Sequence, residues 1–354
     1  MTGGRDPSIV GSIGNQDGNV SRGVRAGLVS AIVVNYEGGE FLQRCLISLR
    51  EQRVPLEIVV VDNGSSDGSV AEAVRRFPEV QVMRPAENLG FAGGANLGAR
   101  RARGEFLLFL NPDVELVPGC VEALLRELSD PRVAVCGPAL RQLASGVVEF
   151  GATVDLLGYP VALSVMRAPL FVSGCALATR ADVFDALGGF DERFFLFVED
   201  VDYCWRALLR GWDVRVANGA VAVHAGGAST PGGYLTEEGL DTTRMRVALR
   251  ERNTLAMMLK CWGAPSLALV VPAYVVQGVL TALLLGVLGR FRTAASILGG
   301  LAWNVCELPH TLALRRDVQA GRRISDWKVL TRMALTLRKV ELLIRYGIPR
   351  IQES

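Results

Sequence analysis

Phe106-Leu107-Leu108-Phe109-Leu110-Asn111-Pro112-Asp113-Val114-Glu115 decides the fold. Five consecutive apolar residues bounded by a turn signal read as a buried strand, too short for a globular helix. Pro112 ends the ladder, because it has no N–H and biases Asn111 away from helix. Asn111 and Asp113 therefore stand at the carboxyl end of a strand, in the crevice where open α/β sheets bind ligands. A carboxylate there can hold a hard divalent cation against a diphosphate. Taken alone, Asn-Pro-Asp is also a serviceable turn with no chemistry, so the flanking sequence has to decide.

Upstream, residues 28–34 and 57–62 are near-continuous apolar runs of the kind that form buried parallel strands. Residues 80–83 make a shorter one. Between them, residues 40–50 and 69–76 carry helical apolar spacing, the second capped by Ser66 or Asp67, and Asn88 to Arg103 reads as a third helix behind a Gly-rich turn. Strand and helix alternating at this spacing predict βαβ units and a mostly parallel sheet with flanking helices, a Rossmann-like α/β fold. Downstream the pattern predicts a helix over 117–128 and a strand over 133–136. An irregular acceptor-side stretch follows over 139–170, then a strand over 171–178 and a helix over 180–187 stopped by Gly188-Gly189. Glu199 and Asp200 open a helix to about Arg210, where acids favour the dipole. Short strands at 214–217 and 220–224 end in His224, beside Gly226-Gly227, and a helix over 236–261 carries Arg244, Arg246, Arg250, Arg252 and Asn253.

The bulk properties bound the rest. With 354 residues, 50% hydrophobic and 21% charged, the chain can bury a large core, and global disorder is excluded. A net charge of +2 argues against a nucleic-acid binder. That balance is uneven: residues 315–354 hold ten Lys/Arg against four Asp/Glu, leaving the remainder at −4. None of the seven cysteines forms a C-x-x-C pair, so neither zinc nor a disulfide framework is indicated; most read as small core residues in a reducing compartment. Residues 1–27 are Gly, Ser and Asn rich without an apolar core, which predicts a disordered arm and not a signal peptide. Residues 261–289 carry no charge and exceed the ~20 residues that span a bilayer, though two prolines interrupt them. Residues 327–346 form a basic amphipathic segment suited to anionic lipid.

Three acid-bearing element ends converge in such a sheet: Asp62, Asp113 and the Glu199/Asp200 pair. Asp62 can accept from a base N–H or a ribose hydroxyl. The turn from Asn88 through Gly94 offers backbone N–H groups to phosphate. It does not follow the first strand, where Asn35-Tyr36-Glu37 stands instead, so a nicotinamide dehydrogenase is disfavoured. Asp113 with His224 makes a two-ligand site for Mg²⁺ or Mn²⁺, and Glu199/Asp200 supply a general base for a sugar hydroxyl. The plainer alternatives are helix-capping acids and a surface histidine.

These stretches carry a resemblance. Val33-Val34-Asn35-Tyr36, Val60-Val61-Asp62-Asn63-Gly64-Ser65-Ser66-Asp67-Gly68 and Asn88-Leu89-Gly90-Phe91-Ala92-Gly93-Gly94-Ala95-Asn96 come first. Leu110-Asn111-Pro112-Asp113, Gly188-Gly189-Phe190-Asp191 and Phe197-Val198-Glu199-Asp200-Val201-Asp202 follow. In this order, over residues 28–229, the chain resembles family 2 glycosyltransferases, in particular their rhamnosyltransferase-like branch. The resemblance implies a GT-A fold over residues 28–235, a nucleotide-diphosphate sugar donor such as dTDP-rhamnose or a UDP-sugar, and inversion at the anomeric carbon. It implies donor contacts at Asn35, Tyr36, Asp62, Asn63, Asn88, Gly90, Phe91, Asn96 and Asn111. Asp62 would take the base and Asn96 would sit near the diphosphate. It further implies a divalent cation on Asp113 and His224, and Asp200 as catalytic base with Glu199 as its competitor. Asn111 departs from the family's D-x-D pattern at the first acid. Residues 236–354 would be a membrane-associating helical region that holds the enzyme at the cytoplasmic face of the plasma membrane. There a saccharide or polyprenyl-linked acceptor is expected, with membrane lipid as a partner and no nucleic acid. The competing function is a catalytically silent nucleotide-sugar binder or membrane scaffold. A nucleotidyltransferase would need a basic Gly-rich loop after the first strand, which this chain lacks.

Overall fold

The computed structural model describes residues 23–226, 234–236 and 239–352. The proposed N-terminal arm falls largely outside them, as does Gly227. In chain order, β1 (Arg25–Asn35), α1 (Gly39–Arg50), β2 (Leu56–Asp62), α2 (Ser69–Arg76), β3 (Gln81–Met83), α3 (Gly90–Arg101) and β4 (Gly104–Leu110) build the first half. β5 (Val114–Leu116), α4 (Cys120–Leu128), β6 (Val133–Gln142), β7 (Val148–Glu149), β8 (Ala152–Val154), β9 (Pro160–Ala162), β10 (Ala176–Arg180), α5 (Ala181–Ala186), α6 (Glu199–Leu209) and β11 (Asp213–His224) build the second. The main sheet runs β3-β2-β1-β4-β10-β6-β11-β5. β3, β2, β1 and β4 are parallel, as are β6 and β11, while β10 and β5 run against their neighbours.

Period-2 alternation sorts the apolar runs onto two faces. Ile32, Val59, Leu107 and Phe109 join one core with α3, α5 and α6; Val33, Val60, Leu108 and Leu110 join the other with α1, α2 and α4. Each such buried side chain contributes roughly 1.5–3 kcal/mol. Six of the seven cysteines are buried among them, and Cys306 is exposed. Asp67 accepts from the backbone N–H of Ser69 at the start of α2 and from that of Gly39 at the start of α1.

Several boundaries differ from the sequence reading, each for a local reason. The 171–178 stretch is strand only from Ala176, because Ser173–Ala176 forms a turn closed by the Ala176 N–H. The 214–217 and 220–224 strands are one strand with a register shift on β6 between Val216 and Val221. The 139–170 stretch contains the short pairs of β7 with β6 and β8 with β9. The helix expected over 236–261 begins only at Arg244, where the Thr243 hydroxyl caps the Arg246 N–H at 3.2 Å. Before it, β12 (Tyr234–Thr236) and β13 (Gly239–Thr243) pair as strands, and residues 237 and 238 lie outside the described residues.

The C-terminal region comprises α7 (Arg244–Cys261), α8 (Ala264–Val287), α9 (Phe291–Cys306), α10 (Leu308–Ala320), α11 (Asp326–Leu330), α12 (Arg338–Tyr346) and β14 (Arg350–Gln352). The basic segment 327–346 is thus two helices, since Val154 and Asp155 bind the Ala334 and Arg338 N–H groups and pin the break. α7 enters the sheet's own core through Leu255, Met257, Met258 and Cys261, and Trp262 packs edge-on against Trp205. α8 is, among the described residues, the one helix long and apolar enough to cross a membrane, and it is mostly exposed. The chain leaves and re-enters the body at adjacent points. Gln319 of α10 donates to the Lys260 carbonyl at 2.8 Å, and Asp326 accepts from the Gly263 N–H at 3.0 Å.

Candidate active site

β5 turns back from Pro112 and pairs with the end of β11, His224 opposite Val114; β6 flanks β11 on its other side, His224 opposite Gln142. This topology sets Asp113 and His224 side by side, with Nε2 3.5 Å from Oδ1. His224 Nδ1 lies 3.2 Å from Gln142 Oε1. In the tautomer whose Nδ1–H is donated to Gln142, the Nε2 lone pair faces the Asp113 carboxylate. A carboxylate and an imidazole this close are donors of the kind that bind Mg²⁺ or Mn²⁺. Among the described residues no cluster of three His, Cys, Asp or Glu closes a cage, so such a cation would keep positions for a ligand.

The acids of α6 are aimed by a strained approach. Phe195, Phe197 and Val198 have φ of 62°, 69° and 75°, a region that bulky and β-branched residues rarely occupy. Strain of this kind, about 1–3 kcal/mol per residue, persists only where the surroundings over-determine it. Here α7 does so. The fully buried Asn253 amide reaches the carbonyls of Phe194, Leu196 and Phe197 at 2.8–3.0 Å, and Arg252 Nη2 donates to those of Arg193 and Phe194. Gly90 fits against the same turn: its φ is +66°, and a Cβ there would collide with the Phe195 carbonyl oxygen.

Asp200 accepts from the N–H groups of Gly174 and Val201, both at 2.8 Å. Burial raises its pKa, and those two N–H groups and Arg250 recover only part of that. Glu199 is buried, its Oε2 without a hydrogen-bond partner; burial first, and then the charge of Asp200, push its carboxyl well above the usual range. The two carboxyls titrate as a pair, and burial raises both, Glu199 the more.

A cavity of about 480 Å³ is lined by Phe91, Asn111, Asp113, Glu199, Asp200 and His224. The remaining expected residues lie elsewhere. Asp62 ends β2 on the same sheet edge, beside Asn35 at the end of β1, yet outside that lining. It accepts from the Ser65 N–H at 3.0 Å and lies 3.4 Å from Arg84 Nε. Asn35 binds the hydroxyls of Ser65 and Ser69, and Tyr36 is exposed. Asn63 braces the Gly-rich turn, donating to the Gly90 carbonyl and accepting from the Leu89 N–H. Asn88 accepts from the Gly90 N–H and Phe195 O from that of Ala92, so these donors already have partners within the protein. The Asn96 amide is held by both backbone groups of Phe190 and by Glu192, away from the cavity. A larger cavity, about 560 Å³ between the Gly188–Arg193 turn and α10, is lined by Asp185, Asp191, Glu192 and Asp317 and by none of Asp62, Asp113, Glu199 or Asp200.

Residues that the sequence reading left without a role also line the cleft. Arg246 and Arg250 reach it from α7, their guanidinium carbons 4.6 and 5.3 Å from the Phe197 ring centre. Their spacing of four places them on one helical face, a signal with no indication of what that face meets.

Residues 30–183 match the family model described as glycosyl transferase family 2, and residues 107–307 match glycosyl transferase family group 2. The chain belongs to glycosyltransferase family 2. Within that family this glycosyltransferase sits in the rhamnosyltransferase-like branch. It is 31% identical over 234 residues to the N-acetylglucosaminyl-diphospho-decaprenol L-rhamnosyltransferase of Mycobacterium tuberculosis, covering 56% of this chain and 76% of that one. Two solved structures resemble it in fold. GalNAc-T7 with UDP, GalNAc and Mn²⁺ gives a TM-score of 0.56 at 16% identity, over 68% of this chain and 48% of that one. Residues 1–349 of S. aureus TarS give 0.52 at 18% identity, over 90% and 92%. The glycosyltransferase therefore has the GT-A architecture, with a curled, mostly parallel sheet and an apolar helix toward the C-terminus.

Proposed function

We propose that this glycosyltransferase inverts configuration as it moves a sugar, rhamnose from dTDP-rhamnose or the sugar of a UDP-sugar, onto a lipid-linked saccharide in cell-envelope polysaccharide synthesis. The observation that carries this reading is the single cavity lined by both the Asp113/His224 pair and the Glu199/Asp200 pair. The acceptor class rests on the M. tuberculosis relative, whose name specifies a diphospho-decaprenol-linked sugar. Asp200 is the base: the N–H groups of Gly174 and Val201 orient its carboxylate toward the cleft, where it takes the acceptor hydroxyl proton during in-line attack. Burial raises Glu199 more than Asp200, which favours Asp200 as the acid of the pair that acts as base. Asp113 and His224 would hold Mg²⁺ or Mn²⁺, which supplies positive charge against the departing nucleoside diphosphate. Asp62 and Asn35, at the same sheet edge, are assigned to the nucleoside. The exposed apolar side of α8 and the basic residues beyond it would seat the protein on the cytoplasmic face of the plasma membrane.

The test is turnover of a nucleotide-sugar panel with a prenyl-diphosphate-linked acceptor, with and without Mn²⁺, for wild type and Asp200→Asn. The expected result is nucleoside diphosphate release by wild type and its loss in the variant. Absence of release with every donor would favour a silent sugar-nucleotide scaffold.

A further inference from the structure

Beside the catalytic cleft lies a second, more apolar groove of about 220 Å³. Thr281, Leu284 and Leu285 of α8 form one wall; Val340 and Leu343 of α12, with Ile348, form the other. The groove and the cleft are continuous, since Tyr159, Leu240, Thr242, Arg246, Arg250 and Leu342 line both. Charge along this path is ordered. Lys339 pairs with Glu251, which also accepts from the Tyr274 hydroxyl; the cations that line the cleft are Arg246 and Arg250 of α7 and Arg338 of α12, the last 3.3 Å from Glu341. The Arg246 and Arg250 guanidinium groups flank Phe197, two residues before Glu199. Away from the cleft, α8 continues outward through the exposed Leu280 and Leu283.

The sequence of surfaces is apolar wall, guanidinium pair, carboxylate pair. A prenyl-diphosphate-linked sugar presents its matching groups in the same order: hydrocarbon, diphosphate, sugar hydroxyl. Arginine suits a diphosphate through its planar fork of donors, and burying hydrocarbon contributes about 0.8 kcal/mol per CH₂. We propose that the groove between α8 and α12 receives the prenyl chain of the acceptor, with Arg246 and Arg250 meeting its diphosphate at the junction with the cleft. This rests on the acceptor class given above and adds where, and by which residues, that acceptor is held. The acceptor then enters from the α8 side, past the residues that the groove and the cleft share.

The experiment uses the full chain in detergent with two acceptors, N-acetylglucosaminyl diphosphate carrying a decaprenyl chain and the same diphosphate capped with methyl. Wild type is expected to prefer the decaprenyl acceptor in kcat/KM by at least tenfold. Leu284→Trp and Leu343→Trp, at half-exposed positions that fill the groove, are expected to cut that preference at least tenfold. Arg250→Gln is expected to raise KM for both acceptors. Equal use of the two acceptors by wild type, or an unchanged preference in both tryptophan variants, overturns the groove. Failure of wild type with either acceptor overturns the acceptor class instead. A measurement on wild type alone guards against misfolded variants: a benzophenone at the tail of decaprenyl diphosphate is expected to label α8 and α12, and unlabelled decaprenyl diphosphate to suppress it. Labelling elsewhere, or equal suppression by phosphatidylglycerol vesicles, removes the prenyl-specific site.

Discussion

The division of labour between Glu199 and Asp200 rests on what surrounds each carboxyl. Asp200 has two backbone N–H donors, whereas Glu199 Oε2 has none. With Asp200 as the proposed base, Asp200→Asn is expected to lower kcat by roughly 10²–10⁴, with Glu199→Gln costing far less. Because the Asp200 carboxyl is raised, activity that needs it ionised is expected to fall away on the acid side at a pH above the ordinary aspartate value of about 3.9. The stability effect has the opposite sign to that of a salt-bridged acid. A carboxyl raised in the folded state favours folding while protonated and opposes it once pH climbs past its unfolded value. Glu199→Gln is therefore expected to raise the melting temperature at neutral pH, with the gain shrinking as pH is lowered; a thermal scan against pH checks it. Asn253 tests the turn from the other side. Asn253→Ala is expected to lose about 1–3 kcal/mol, because it leaves buried carbonyls unsatisfied, and to lower kcat more than a remote variant of equal stability. Nothing in the sequence around Asn253 names its partners, which sit 56 or more positions earlier.

At the scale of elements, the turn from Phe195 to Val198 is where geometry outweighs propensity. Val198→Gly would relieve left-handed strain of about 1–3 kcal/mol, and would give up a buried side chain contributing roughly 1.5–3 kcal/mol. These nearly cancel, so unfolding midpoints are expected to move little while kcat falls, since a looser turn no longer fixes the start of α6. Strands such as β1, β2 and β4 were legible because continuous apolar runs bounded by turn residues have few other uses. The α7 start was not. Its periodicity continues upstream through residues that pair with β14, and tertiary pairing overrides the helical pattern there. The meeting of His224 with Gln142 was equally hidden, as it depends on β11 choosing β6, 82 residues away, as its neighbour. Asn96 and Asn88 were visible as motif residues, but a motif does not tell a donor contact from an amide that holds its own backbone.

Across the whole molecule, one buried charge cluster ties α6 and the turn before it to α7. Lys260 Nζ lies 2.6 Å from Asp191 and 2.8 Å from Asp202, and Arg206 and Arg193 complete the set. Burial alone would raise the Asp191 carboxyl, but Lys260 and Arg193 outweigh it and hold that carboxyl below its ordinary range. Its contribution is thus present above the unfolded carboxylate value and is lost as pH falls through the lower folded one. Lys260→Met is expected to destabilise by up to about 3–5 kcal/mol, because it leaves each of two buried acids with one arginine alone; a denaturant titration reads it directly. The composition showed that a core of this size could form, and the charge-free run at 261–289 marked α8, but neither indicated that α7 belongs to the sheet's core.

The adjacency of Gly263 with Asp326, and of Lys260 with Gln319, makes the helices between them a detour in the covalent path. A protein engineer can treat that detour as a cassette. Grafting a sister enzyme's helices between them keeps the points where the backbone leaves and re-enters, provided the graft restores what Asn304 and Arg315 donate to the carbonyls of α7. By contrast, a chain cut before α7 keeps every motif yet loses the plug of its own interior, and aggregation on expression is the outcome to expect.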